Sequence, residues 1–324
     1  MEKIKLGKSS FEVSSIGLGC WQFSGSNGLV GSFWGDMPHN RVDEIVQNSL
    51  DSGVNWFDTA EIYGDGVSEK ALSASLQRLQ VKPGSVFIAT KWNPVLRLSA
   101  SIGRTFSERE QNLSPYAINL HQVHNPASIS SIPNQMKAFL RLLKDGKIDL
   151  VGVSNFSQKQ MQSAHQALQE GGAYLASNQM RYHLLDRSIE FNGVMDYARR
   201  EGITIIAYSP LAQGLLTGRY HEDSGLIQKR PGFRRYLPSF RERSLCKTLP
   251  LIEALLAISD AHNVTPAQVA LRWVVQYQQG LVVAIPGASS ALQARQNAEV
   301  MGFRLDEAEM QHLDQISREI NPIN

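Results

Sequence analysis

A chain of 324 residues, 42% hydrophobic and 19% charged, carries enough apolar material for a large core and is too mixed in composition to stay disordered. Its 32 basic and 30 acidic residues leave a net charge of +2, which creates no global field to recruit nucleic acid or an acidic membrane surface. No apolar run is long enough to span a bilayer, and the opening Met1-Glu2-Lys3-Ile4-Lys5-Leu6 lacks the apolar core of a secretory signal, so the expectation is a soluble, cytoplasmic protein. Cys20 and Cys246 are too few for a disulfide framework or a thiolate site, and no His-Glu-x-x-His occurs, so no metal is expected.

In chain order, residues 4–6 and 11–13 flank Gly7-Lys8-Ser9-Ser10 and read as a small hairpin suited to plug the closed end of a barrel. Eight short apolar or β-branched runs follow, at residues 15–18, 54–57, 86–90, 118–123, 148–153, 175–178, 203–207 and 281–285. Helical patterns lie between most of them. Val42, Ile45, Val46 and Leu50 keep helical spacing up to Gly53, and Met136, Phe139, Leu140 and Leu143 do so up to Gly146. Thr265-Pro266 forms an N-cap and first-turn pair, and residues 306–320 read as a last amphipathic helix.

Alternating strands and helices imply parallel strands, and eight such units imply a closed (β/α)8 TIM barrel, α/β in class, as a single domain over residues 1–324. The connection after strand seven, residues 211–249, shows little periodicity and carries Arg219, Lys229, Arg230, Arg234, Arg235, Arg241, Arg243 and Lys247. It reads either as a loop charged to meet an anion or as a solvated excursion.

Asp58, Lys91 and His124 each close one of the apolar runs, at steps of 33 and 33 residues, so they fall at carboxyl ends of successive strands. Catalytic groups of barrels gather there. His121, three residues before His124, would face the opposite side of its strand. Tyr63 follows Asp58 by five residues. A lysine beside an aspartate stays cationic, and a cation beside a phenol lowers its pKa from about 10 toward neutrality, which makes a general acid for a carbonyl oxygen. Each residue alone also has a plainer reading: a turn cap, a strand-end lysine, a core histidine and a packing aromatic.

The segments Gly53-Val54-Asn55-Trp56-Phe57-Asp58-Thr59-Ala60-Glu61-Ile62-Tyr63-Gly64, Thr90-Lys91-Trp92, Gln122-Val123-His124-Asn125-Pro126 and Ile148-Asp149-Leu150-Val151-Gly152-Val153-Ser154-Asn155-Phe156 together resemble the aldo-keto reductase family. Asn178-Gln179, Ala207-Tyr208-Ser209-Pro210-Leu211 and Ala284-Ile285-Pro286-Gly287 extend the resemblance over nearly the whole chain. It implies an NADPH-dependent reduction of an aldehyde or ketone, with Tyr63 as proton donor, Lys91 lowering its pKa, Asp58 holding Lys91, and His124 orienting the carbonyl. It implies that Ser154, Asn155 and Gln179 hold the carboxamide of the nicotinamide and that Tyr208 stacks on its ring, with Trp21 and Asp58 also at that end. Ser209, Pro210, Leu211, Gln213, Gly214 and Arg234 would meet the pyrophosphate, and Gly287, Ser289, Gln293 and Asn297 the adenosine part.

The sequence departs from many family members after Ile285-Pro286. A Lys-Ser pair and a later arginine clamp the 2′-phosphate there, whereas here Gly287-Ala288 and Gln293 stand in those places, so NAD(H) use stays open unless Arg295 or the basic loop replaces the clamp. Residues 96–114 match loosely, and Arg97, Arg104 and Arg109 are placed near the pocket mouth. Gly17-Leu18-Gly19 lacks the third glycine of a dinucleotide fingerprint and no Tyr-x-x-x-Lys occurs, which argues against a Rossmann reductase. Trp21 and Trp92, with Phe23, are expected to line an aromatic substrate pocket together with Tyr63 and His124. The alternative reading is a nicotinamide-binding regulatory protein on the same barrel, since potassium-channel β subunits resemble this family.

Overall fold

A computed structural model describes residues 3–25, 35–229 and 235–320. A hairpin of β1 (Lys3–Lys5) and β2 (Glu12–Ser14) precedes eight parallel strands: β3 (Leu18–Gly19), β4 (Trp56–Asp58), β5 (Phe87–Trp92), β6 (Leu120–Val123), β7 (Leu150–Ser154), β8 (Leu175–Arg181), β9 (Thr204–Tyr208) and β10 (Val282–Ala284). Each strand pairs with its sequence neighbour. The first and last join through Gly17 N donating to Ala284 O (2.8 Å), Ala284 N to Ser15 O (2.9 Å) and Gly19 N to Pro286 O (3.1 Å), so the sheet closes as the expected (β/α)8 barrel. Parallel neighbours need helical crossovers, and these run as His39–Asp51, Val67–Arg78, Ala100–Leu113, Ile132–Lys144, Gln158–Glu170, Val194–Glu201 and Pro266–Tyr277.

Strand periodicity sorts the side chains into two cores. Trp56, Phe87, Ala89, Leu120, Leu150, Ile206 and Val283 fill the inside of the barrel. Their neighbours Phe57, Ile88, Val123, Val151, Ile205 and Val282 face outward against the helices. The hairpin completes the inner core, where Ile4, Leu6 and Val13 pack with the strand residues and Gly7 N donates to Thr204 Oγ1 at 2.7 Å. Gly7 has a φ of 61°, and a Cβ there would meet Ala176 O at 2.8 Å, so only glycine lets the turn lie this close to β8.

Thr265 caps the helix Pro266–Tyr277 in a reciprocal box with Gln268. The long connection is more ordered than its sequence suggested. Short helical turns occupy Ala212–Thr217, Arg219–Glu222, Gly225–Gln228 and Pro238–Phe240, and the helix Glu242–His262 begins before the expected boundary at Leu249. It holds an internal Pro250, a residue type that usually ends a helix, which is why the sequence suggested a later start. Arg234 lies outside the described residues.

His121 points outward between Phe106 and Phe139, with ring centroids at 5.4 and 5.1 Å. Neither ring nitrogen has a hydrogen-bond partner. Burial, helped by the nearby Arg109 cation, pushes its pKa down to about 3. The unfolded chain takes up this proton near pH 6.5, so the neutral folded form contributes full stability above that pH and loses it as pH falls toward 3. His121→Leu is therefore expected to raise urea resistance by about 1 kcal/mol or more at neutral pH, with a wider margin near pH 5. A variant less stable than the parent at both pH values would contradict this account.

Candidate active site

At the carboxyl ends of the strands a cleft of about 710 Å³ opens. Its base is an ion pair. Lys91 on β5 and Asp58 on β4 have side chains 0% and 1% exposed, and Lys91 Nζ donates to Asp58 Oδ1 and, at 2.9 Å, to Thr59 O. The other carboxylate oxygen accepts from Gln179 Nε2 at 2.8 Å and Gln122 Nε2 at 3.2 Å. A carboxylate only accepts, so both amides must turn their nitrogens toward it, and Gln179 keeps Oε1 for other donors.

Tyr63 stands over this pair on the loop after β4, with Lys91 Nζ 5.0 Å from its ring centroid. Trp21 stacks on it at 5.8 Å and His124 meets it edge-on at 5.7 Å. Burial alone would lower the pKa of Lys91, but Asp58 and Tyr63 hold the ammonium above its ordinary value. For Tyr63 the expectation fails in sign: burial raises the phenol above its ordinary value, and the Lys91 cation lowers it only in part. Loss of water from the tyrosinate outweighs one nearby charge that Asp58 already offsets. Tyr63 therefore keeps its proton at neutral pH. Burial and the Lys91 charge push His124 down to about 3, so its imidazole is neutral.

Above the base, Ser154, Asn155, Gln179, Tyr208, Ser209, Pro210, Leu211, Gln213 and Gly214 line one wall, and Gly287, Ser289, Gln293 and Asn297 line the far end. Asn155, held at a φ of 60°, knots this wall together. Its Nδ2 donates to Ser154 Oγ (2.9 Å) and His124 O (3.3 Å), and its Oδ1 accepts from the Tyr208 hydroxyl (3.0 Å). Ser154 Oγ in turn donates to Gln179 O at 2.9 Å. The turn after β9 carries positive φ at Ser209, Ala212, Gln213 and Gly214, a cluster of strained backbone of the kind found at ligand sites.

Some expected residues lie elsewhere. Trp92 does not line the cleft: it is fully buried in the outer core, and its Nε1 donates to Ser101 Oγ at 3.1 Å. Adjacent strand residues point to opposite faces, so β5 cannot aim both Lys91 and Trp92 inward. Phe23 is likewise buried in the outer core. Arg97, Arg104 and Arg109 do not line the cleft. Arg109 is buried between Glu69 (2.6 Å) and Glu61 (3.3 Å), and Arg97 pairs with Glu61, which ties the Tyr63 loop to the helix behind it. Arg295 pairs with Glu299 on the surface (3.6 Å) rather than entering the cleft.

Arg219 of the basic connection lines the cleft as the anion reading expects, whereas Gln22, Ile62 and Asn125 line it without having been singled out by sequence reasoning. Ile62 and Asn125 stand inside the quoted motifs, beside Tyr63 and His124, and adjacency was their available signal. Gln22 is signalled by Gly287, where a Cβ would come within 1.8 Å of its amide.

Among known proteins, the model of the aldo/keto reductase family matches residues 15–318. The chain belongs to the aldo-keto reductase family. An oxidoreductase of Mycobacterium tuberculosis described as uncharacterized is 34% identical over 313 residues, covering 97% of this chain and 92% of its own. The aldo-keto reductase YhdN of Bacillus subtilis is 29% identical, covering 98% and 93%. A glycerol dehydrogenase structure from Gluconobacter oxydans superposes with a TM-score of 0.85 at 27% identity, covering 99% of this chain and 97% of its own. An aldo/keto reductase from Klebsiella pneumoniae, solved with NADP and acetate, gives 0.73 at 25% identity, covering 97% and 95%.

This aldo-keto reductase buries its Lys91 charge with Asp58 as the counterion. Lys91→Met should therefore cost about 3–5 kcal/mol in urea unfolding, because the Asp58 carboxylate stays buried without a cation. Adding Asp58→Asn should recover part of that loss. A Lys91→Met protein as stable as the parent would show that the pair is not buried as described.

Proposed function

We propose that this aldo-keto reductase reduces an aldehyde or ketone to the alcohol with NADPH, Tyr63 giving the proton. The observation that carries the reading is the buried Asp58–Lys91 pair beneath a protonated Tyr63, at the foot of a cleft of about 710 Å³. A nicotinamide dinucleotide bound in that cleft would supply the hydride. The residues present fit such a group: Gln179 offers Oε1, the strained turn at Ser209–Gly214 offers backbone, and Gln293 and Asn297 offer polar atoms at the far end. The wall of Ser154, Asn155 and Tyr208 fits the nicotinamide end. The Klebsiella relatives solved with NADP and with NADPH support the choice of NADP(H).

Substrate carbonyl oxygen would lie between the Tyr63 hydroxyl and neutral His124, two groups able to donate to a developing alkoxide. As negative charge grows on that oxygen, the Tyr63 proton passes to it and Lys91 meets the tyrosinate charge. Asp58 keeps Lys91 in place and cationic while this happens. Neutral His124 orients the carbonyl without competing as an acid.

Tyr63→Phe should lower carbonyl reduction by at least about a hundredfold while NADPH affinity, read by fluorescence titration, changes less than about threefold. Activity within a few-fold of the parent would remove Tyr63 from the role of proton donor. A parent protein that binds NADPH tightly yet turns over none of a panel of aldehydes would favour the regulatory reading instead.

A further inference from the structure

We propose that Gln122 is a positioning residue for the reaction: its carboxamide locks the Asp58 carboxylate so that Lys91 stays aimed at Tyr63. The inference rests on the proton-donor reading of Tyr63. Gln122 is fully buried and faces the barrel interior from β6, between the outward His121 and Val123. Its register partners are Lys91 on β5 and Gly152 on β7, and Gly152 is in turn level with Ser177 on β8. One layer of the barrel thus holds Lys91, Gln122, a missing side chain, and Ser177.

The missing side chain is what admits Gln122. A Cβ on Gly152 would stand 2.4 Å from Ser177 Oγ and 2.9 Å from Gln122 Cγ, so any other residue would push one or both aside. Across the gap Ser177 Oγ donates to Gln122 Oε1 at 3.5 Å, which turns Gln122 Nε2 toward Asp58 Oδ2 at 3.2 Å. Ser177 reaches this layer because the register between β7 and β8 steps from Val151 opposite Leu175 to Gly152 opposite Ser177, leaving Ala176 as the extra residue of a bulge. Asp58 is the charged group in contact with the amide, and Lys91 is the charged register partner of Gln122.

With Gln122 and Gln179 both donating to Oδ2, Oδ1 is left to Lys91. Removing Gln122 leaves Oδ2 to Gln179 alone, so the carboxylate is held less firmly, its charge is less screened, and Lys91 is aimed less well at the Tyr63 ring. The role is indirect, since nothing places Gln122 at the substrate. Gln122→Leu should therefore lower kcat about ten- to a hundredfold, the weight of one hydrogen bond to a charged group, with KM and NADPH affinity within about twofold.

Gln122→Glu gives the decisive readout. At neutral pH it sets a second carboxylate against Asp58, and as pH falls its own protonation restores a donor. Its activity relative to the parent should thus rise as pH is lowered, whereas a purely structural lesion would depress it evenly. A double-mutant cycle of Gln122→Leu with Asp58→Asn in urea unfolding tests the contact without any turnover. Clear non-additivity is expected, and additive losses would overturn the proposal whatever the enzyme catalyses. Coupling in unfolding with unchanged kcat in Gln122→Leu would also overturn it. An inactive parent with intact coupling would instead count against the proton-donor reading. Gly152→Ala should reproduce the kcat loss by displacing Gln122, and full activity in that variant would contradict the packing argument.

Discussion

An ammonium group with no exposed surface needs a carboxylate beside it, and the Asp58–Lys91 contact is where this barrel meets that need. Taking both charges out of water is costly, so the surrounding residues are chosen to satisfy what the pair leaves over. Thr59 O takes a second Lys91 hydrogen, and two glutamine amides cover the far oxygen of Asp58. Burial, helped by the Lys91 charge, keeps His124 neutral, and Lys91, opposed by Asp58, limits how far burial raises Tyr63.

Closure of the barrel is what lets distant residues reach this pair. Gln179 is 121 positions from Asp58 in sequence and one hydrogen bond away in space. Its amide joins the charged base of the cleft to the wall of Ser154, Asn155 and Tyr208, through Ser154 Oγ on its own carbonyl.

The architecture was legible because strand-helix alternation survives in the apolar pattern, and the steps between Asp58, Lys91 and His124 repeat one unit of it. Trp92 was misplaced for a reason also present in the sequence. Parity along β5 assigns Lys91 and Trp92 to opposite faces, and an aromatic beside a buried lysine misleads only when that parity is ignored. Other features were out of reach. The rise in the Tyr63 pKa depends on how much water the finished cleft excludes, the bulge at Ala176 depends on register between two strands, and the order of the connection after β9 depends on short turns packed through Leu215, Tyr220, Ile227 and Phe240. None of these is a property of a local stretch of chain.

The central claim is that Lys91, held by Asp58, controls the proton of Tyr63. Titration of the Tyr63 phenol by NMR in protein labelled at the tyrosine ring carbon, with Tyr63→Phe to assign the signal, tests it directly. The phenol should ionise above the ordinary tyrosine range in the parent and higher still in Lys91→Met, since burial remains while the opposing cation is gone. A phenol that titrates in the ordinary range, or one indifferent to Lys91→Met, would contradict the account.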